Sequence, residues 1–167
     1  ARRSSMLRVC LREAGRLPDV PVYLDSPMAI NASELLGTYS DDHRLSPEVY
    51  EGMRAMANYT PDSEQSMRIS ASTDPKIVIS ASGMATGGRV LHHLKMRLPD
   101  ERTTVLLPGF QAAGTRGRAL QEGARKIRIH GQDVPVRAKV VTLDGFSAHA
   151  DRDEILRWLS GFERAPR

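Results

Sequence analysis

Lys76-Ile-Val-Ile-Ser80 runs directly into Ala81-Ser-Gly-Met-Ala-Thr-Gly-Gly88 and then into Arg89-Val-Leu-His-His-Leu94, and this passage decides the fold class. The first five residues are a continuous β-branched run, the pattern of a parallel strand covered on both faces. The glycine-rich stretch reads as a tight turn, and residues 88–98 carry helical spacing. Working outward, the same alternation recurs. Upstream, Val20-Pro-Val-Tyr-Leu24 is a short apolar strand ending in Asp25-Ser-Pro27, where Ser26 can cap a helix over 28–37 with Pro27 at its first position. Ser46-Pro47 opens a second helix over 47–58, and Asn58 to Asp74 is polar, loop-like or partly helical. Met6, Leu7, Cys10, Leu11 and Ala14 place a helix over 4–14, closed by Gly15.

Downstream, Thr103-Thr-Val-Leu-Leu107 is a strand that enters Pro108-Gly-Phe110 and a short helix near 115–122. Lys126 to Ile129 and Val134 to Leu143 read as a hairpin turning at Gly131-Gln132. A last amphipathic helix, with Ile155, Leu156, Trp158 and Leu159, follows Asp144 to Asp151. Strands alternating with helices predict an α/β domain: a doubly wound, mostly parallel sheet with helices on both faces, without internal repeats or linkers.

Composition agrees with one globular domain. The 167 residues, 40% hydrophobic and 26% charged, can bury about 70% of the surface their unfolded chain exposes. That excludes a disordered chain, and the scattered Gly and Pro exclude a collagen-like one. No run reaches the 18 or so apolar residues of a membrane span, so a cytoplasmic protein without a membrane partner is expected. The single cysteine, Cys10, makes neither an intramolecular disulfide nor a cysteine zinc site, which fits a reducing compartment. The net charge of +4 is unevenly spread: residues 17–88 carry −6 and residues 89–139 carry +7. Twenty of the 24 basic side chains are Arg, whose planar fork matches phosphate, so a polyanionic partner is indicated.

Three segments can carry chemistry. Ser80 to Arg89 lies between strand and helix, where backbone N–H groups and the helix dipole suit an anion. Its glycines at 83, 87 and 88 fit neither a Walker loop nor a dinucleotide fingerprint, and a plain tight turn is the competing reading. Gly109 to Arg118 is a second such turn, again with Arg at the helix start. If both follow parallel strands they face one crevice. Gly145-Phe-Ser-Ala-His149-Ala-Asp151 sets a His between a strand and a helix, with Asp151 near enough to orient it. His92 and His93 are adjacent and do not share a helix face, so at most one joins a site and a partly exposed helix His is the simpler reading.

Together with Tyr23-Leu-Asp-Ser-Pro-Met-Ala29, the strings Ile77 to Leu94, Leu107 to Arg118 and Gly145 to Asp151 resemble the β-CASP cassette of RNA-processing metallo-β-lactamase-fold nucleases. The similarity is to the bacterial and archaeal group that includes the cleavage-and-polyadenylation endonuclease. It is weak over 40–75. The resemblance implies a Rossmann-like cassette, residues 1–145, and a return segment, residues 146–167, leading into a metallo-β-lactamase domain. It implies a two-zinc ribonuclease in which metal-activated hydroxide attacks a phosphodiester. The family's H-x-H-x-D-H string is not in this sequence, so the resemblance implies no metal ligand in this chain, zinc held mostly by residues outside it, and an isolated chain that is inactive. His149 is implied as the general acid or phosphate-contacting His. Single-stranded RNA is implied as the partner of Ser82, Gly83, Gly87, Gly88, Arg89, Gly114, Thr115, Arg116 and Arg118, and a homodimer is compatible with the family. The resemblance gives Asp25 no role. The alternative is a non-catalytic nucleotide- or RNA-binding α/β module.

Overall fold

A computed structural model describes residues 20–143, 150–162 and 164. The helix expected over 4–14, Cys10, Phe146 and His149 lie outside the described residues. The chain runs β1 (Val22–Leu24), α1 (Pro27–Thr38), a 3-10 turn (Ser40–Asp42), α2 (Pro47–Ala55), β2 (Asn58–Tyr59), α3 (Ser63–Ala71) and β3 (Ile77–Ile79). It continues through α4 (Val90–Arg97), β4 (Thr104–Pro108), α5 (Arg116–Gln121), β5 (Lys126–Ile129), β6 (Gln132–Pro135), β7 (Lys139–Leu143) and α6 (Arg152–Leu159).

The α/β class is as the sequence predicts, and the parallel strands fall into two ladders. In the first, β1 is central, flanked by β2 and β3, all parallel. In the second, β4 pairs with β7 in parallel, Thr104 opposite Lys139 through Pro108 opposite Leu143. β3 ends the first sheet, so its residues are half-buried instead of covered on both faces. The hairpin is shorter than expected: among the described residues β5 pairs only with β6, around a His130-Gly131 turn with φ of 48° and 77°. Two consecutive positive φ values make the primed turn that matches strand twist. Lys139–Leu143 leaves the hairpin to join β4, a non-local pairing that period-2 patterning does not distinguish.

Local signals account for the helices. Ser26 and Ser46 cap α1 and α2, each with Pro following, and Asp62 caps α3. Asp151 and Glu154 form a reciprocal capping box on α6. The larger core packs Leu91, Leu94 and Leu98 of the α4 region against Leu107, Leu120, Ile127, Ile129 and Val134. This core fixes α4 and α5 against β4 and the hairpin, and so sets the two glycine-rich turns that precede those helices. No helix among the described residues is long and apolar enough to cross a membrane.

Candidate functional site

Both glycine-rich turns leave the carboxyl ends of parallel strands, β3 and β4, and they meet. Gly117 N–H donates to the Met84 carbonyl at 2.9 Å. Gln111, 2% exposed, reaches from the second turn to donate from Nε2 to the carbonyls of Gly83 at 3.1 Å and Gly109 at 3.3 Å. Arg116 closes the clasp: Nε bonds the Arg128 carbonyl at 2.6 Å, and Nη1 bonds the carbonyls of Ala85 and Thr86 at 3.3 and 3.4 Å. Gly117 is required by this contact, because a Cβ there would lie 1.7 Å from Gln111 Oε1 and 3.1 Å from the Met84 carbonyl. The Gln111 Oε1 atom itself is buried with no hydrogen-bond partner among the described residues.

Within the first turn, Ala85 N–H bonds the Ser82 carbonyl at 3.0 Å, and the Ser82 and Thr86 hydroxyls bond each other at 3.0 Å. Gly88 has φ +76° with a Cβ position 3.3 Å from the Ala81 carbonyl, so the backbone requires glycine there. Gly83 and Gly87 differ: a Cβ at either would meet nothing within 4 Å, and neither has a positive φ. Among the described residues no protein acceptor takes the N–H of Gly83, Gly87 or Gly88. In the second turn Gly114 has φ +78°, and Thr115 Oγ1 accepts from Arg118 N–H at 3.1 Å while donating to the Ala112 carbonyl at 2.7 Å. Phe110, in the second turn, is 77% exposed.

The arginines named from sequence have internal partners. Arg89 Nη1 bonds Asp25 Oδ1 at 2.8 Å and the Thr60 carbonyl at 2.6 Å, and Nη2 bonds the Pro61 carbonyl at 2.8 Å. Arg118 Nε pairs with Glu122 at 2.7 Å on the surface, a contact of little energetic weight. Their charge still bears on the turns, but Arg89 and Arg116 act first as clasps of the backbone.

Beneath the first turn lies a buried polar cluster. Asp25, fully buried at the end of β1, accepts at Oδ2 from Ser66 Oγ and from His93 Nε2, each at 2.6 Å. Ser70 Oγ lies 2.8 Å from His93 Nδ1 and 3.0 Å from the Ser66 carbonyl. Burial pulls the Asp25 carboxyl upward, and Ser66, His93 and Arg89 together outweigh it, holding the group below the usual carboxylate range. Burial likewise depresses His93, against the opposing pull of Asp25. A neutral His93 donates from Nε2 to Asp25 and presents an acceptor Nδ1 to Ser70, whose single hydroxyl proton serves either Nδ1 or the Ser66 carbonyl. Arg97 binds the carbonyls of Ser70 and Ser72 and secures the end of α3.

Sequence patterning places His93 on a helix as partly exposed, and the structure buries it while leaving its neighbour His92 exposed, 5.0 Å from the ring of His130. The sequence gives Asp25 no role and assigns none to Ser66, Ser70 or Gln111. The signal for Gln111 was its place inside the second glycine string, and for Asp25 its place between an apolar strand and a capped helix. No group of three or more His, Cys, Asp or Glu among the described residues is placed to hold a metal ion.

Parallel strands whose carboxyl ends carry two clasped, glycine-rich turns define an α/β domain. The chain belongs to the β-CASP family: residues 5–120 match the Beta-Casp domain, and residues 133–166 match the Zn-dependent metallo-hydrolase RNA specificity domain. Among its relatives, Ribonuclease TTHA0252 of Thermus thermophilus is 37% identical over 98% of this chain and 39% of its own length. An RNase J-like protein of Methanocaldococcus jannaschii is 35% identical over 87% of this chain and 34% of its own. Transcription termination factor FttA of Thermococcus kodakarensis is 32% identical over 98% of this chain and 27% of its own. The chain thus spans about two fifths or less of the length of these relatives.

Proposed function

We propose that this chain is the RNA-binding, active-site-forming β-CASP part of a zinc-dependent ribonuclease. The observation that carries the reading is the clasped pair of turns, in which the N–H groups of Gly83, Gly87 and Gly88 have no protein acceptor among the described residues and a Cβ at Gly83 or Gly87 would touch nothing within 4 Å. Backbone donors of this kind contact phosphate oxygens without reading bases, so the partner is a single-stranded RNA held by its backbone. Gly114, Thr115 and Arg118 extend the contact along the second turn, while Arg89 and Arg116 hold the turns and add positive potential.

His149 supplies the general acid or phosphate contact, in a segment that follows β7, whose end is bonded through the Leu143 carbonyl to Gly109 N–H at 3.1 Å. That register brings the exit of β7 beside the second turn. Zinc would activate the attacking hydroxide, with its ligands mostly outside this chain, and this chain's own residues bind and orient the strand. The division at residues 145 and 146 follows the end of β7. The exposed apolar face of α6, with Ile155, Leu156, Trp158 and Leu159, fits a return segment that docks on a metallo-β-lactamase domain. A cytoplasmic location and a homodimer belong to the same reading.

The test is His149→Ala in the full-length enzyme. A general acid is worth roughly 10²–10⁴ in rate, so turnover on RNA should fall by that order with zinc content and folding intact. An activated aryl phosphodiester, whose leaving group needs no proton, should suffer a smaller loss. Cleavage at the parent rate, or loss only because zinc is lost, contradicts the assigned role.

A further inference from the structure

We propose that Asp25 is the positioning residue of the 80–89 turn, holding both of its ends from a single buried site. The inference rests on the reading of that turn as an RNA contact. At the entrance, Asp25 N–H bonds the Ile79 carbonyl at 2.8 Å, adding one rung to the β1–β3 ladder, and the Asp25 carbonyl accepts Ser80 Oγ at 2.8 Å. At the exit, Asp25 Oδ1 accepts Arg89 Nη1 at 2.8 Å. One residue therefore contacts positions 79, 80 and 89, and the intervening turn is strung between its main chain and its side chain.

The carboxylate has no route to substrate. It is fully buried, and its other oxygen is taken by Ser66 on α3 and His93 on α4. It is a positioning group and not a catalytic one. Packing alone does not explain it: burying a charge costs several kcal/mol, and an apolar cluster of similar volume often joins elements as well or better. An apolar cluster lacks a directional acceptor for Arg89, whose guanidinium also bonds the carbonyls of Thr60 and Pro61. With the carboxylate in place, the first residue before α4 is fixed to the ends of β1 and β2. Gly83, Gly87 and Gly88 then hold their N–H groups in one arrangement before RNA arrives, which is the condition for backbone donors to bind an anion without first being ordered.

The test uses this chain with Asp25→Asn, Ser80→Ala and Arg89→Ala, a single-stranded oligouridylate, and amide hydrogen exchange without RNA. In Asp25→Asn, exchange at 82–88 should accelerate about tenfold or more while the amides of β4, β5 and β7 keep their protection. Oligouridylate affinity should fall about fivefold or more, yet the same change made in the Arg89→Ala background should alter it by less than about twofold, because the two act through one contact. Ser80→Ala, which removes only the entrance tether, should accelerate the same amides with global stability unchanged, and it carries the test if Asp25→Asn does not fold. Unchanged exchange at 82–88 in the folded variants would overturn the proposal. So would an equal affinity loss in both backgrounds, or a loss of protection spread evenly over the domain. A turn that loosens with affinity unaltered would overturn the RNA reading and leave the positioning role standing.

Discussion

Gly117→Ala puts the clasp between the turns under the most direct strain. The added Cβ would sit 1.7 Å from Gln111 Oε1 and 2.9 Å from its Cδ, so the buried side chain must leave its place. Leaving breaks the two Nε2 bonds to Gly83 and Gly109, worth about 1 kcal/mol each, and forcing a methyl into a filled site costs about 1–3 kcal/mol more. Alanine returns about 1 kcal/mol of helix propensity, since Gly117 lies inside α5 without a positive φ. The net is a loss of about 3 kcal/mol, or roughly 6–12 °C in Tm for a domain of this size. Chemical denaturation of the variant beside Gly83→Ala provides the assay. The second substitution enters open space and should shift stability by no more than about 0.5 kcal/mol. Equal stability of Gly117→Ala and the wild type would refute the clasp.

Two further outcomes follow from the same geometry. Gly88→Ala, at φ +76°, should destabilise by about 1–2 kcal/mol, whereas Gly87→Ala should leave stability unchanged and weaken RNA binding, read by denaturation and by titration with a single-stranded oligonucleotide. Because His93 is held below its ordinary 6.5, the unfolded chain takes up that proton more readily, so stability should be level above about pH 6.5 and decline below it. His93→Gln should flatten that decline, leaving the loss at lower pH where Asp25, held below 3.8, is protonated.

The parts of the fold legible in the sequence are those with local causes. Ser26-Pro27 and Ser46-Pro47 announce α1 and α2, and the glycine strings announce both turns. α3 reads only as part of a loop-like or partly helical stretch because its buried residues are Ser66 and Ser70, which are covered through hydrogen bonds to Asp25 and His93 and leave no apolar period to read; Asp62 is its local capping signal. The same cause hid His93 and Asp25, since a buried ionisable cluster is defined by partners up to 68 positions apart. β7 is legible as strand, within the Val134 to Leu143 run, but not as β4's partner, because that pairing is set by tertiary packing beyond any turn signal, with Pro135 ending the β5–β6 ladder first. Of the site, the positions of the turns were legible and the use of Arg89 and Arg116 was not. A guanidinium that binds carbonyls of its own chain has the same sequence signature as one that waits for a phosphate.

The central claim is that the two clasped turns form the surface on which RNA lies. A titration of this chain with single-stranded RNA, followed amide by amide, tests it most directly. The account predicts shifts concentrated at Ser82 to Gly88 and at Ala113 to Thr115, disappearing together as salt is raised and depending little on base sequence. Shifts confined to the far end of the molecule around Arg102 and Arg137, or none at the turns under low salt, would contradict it.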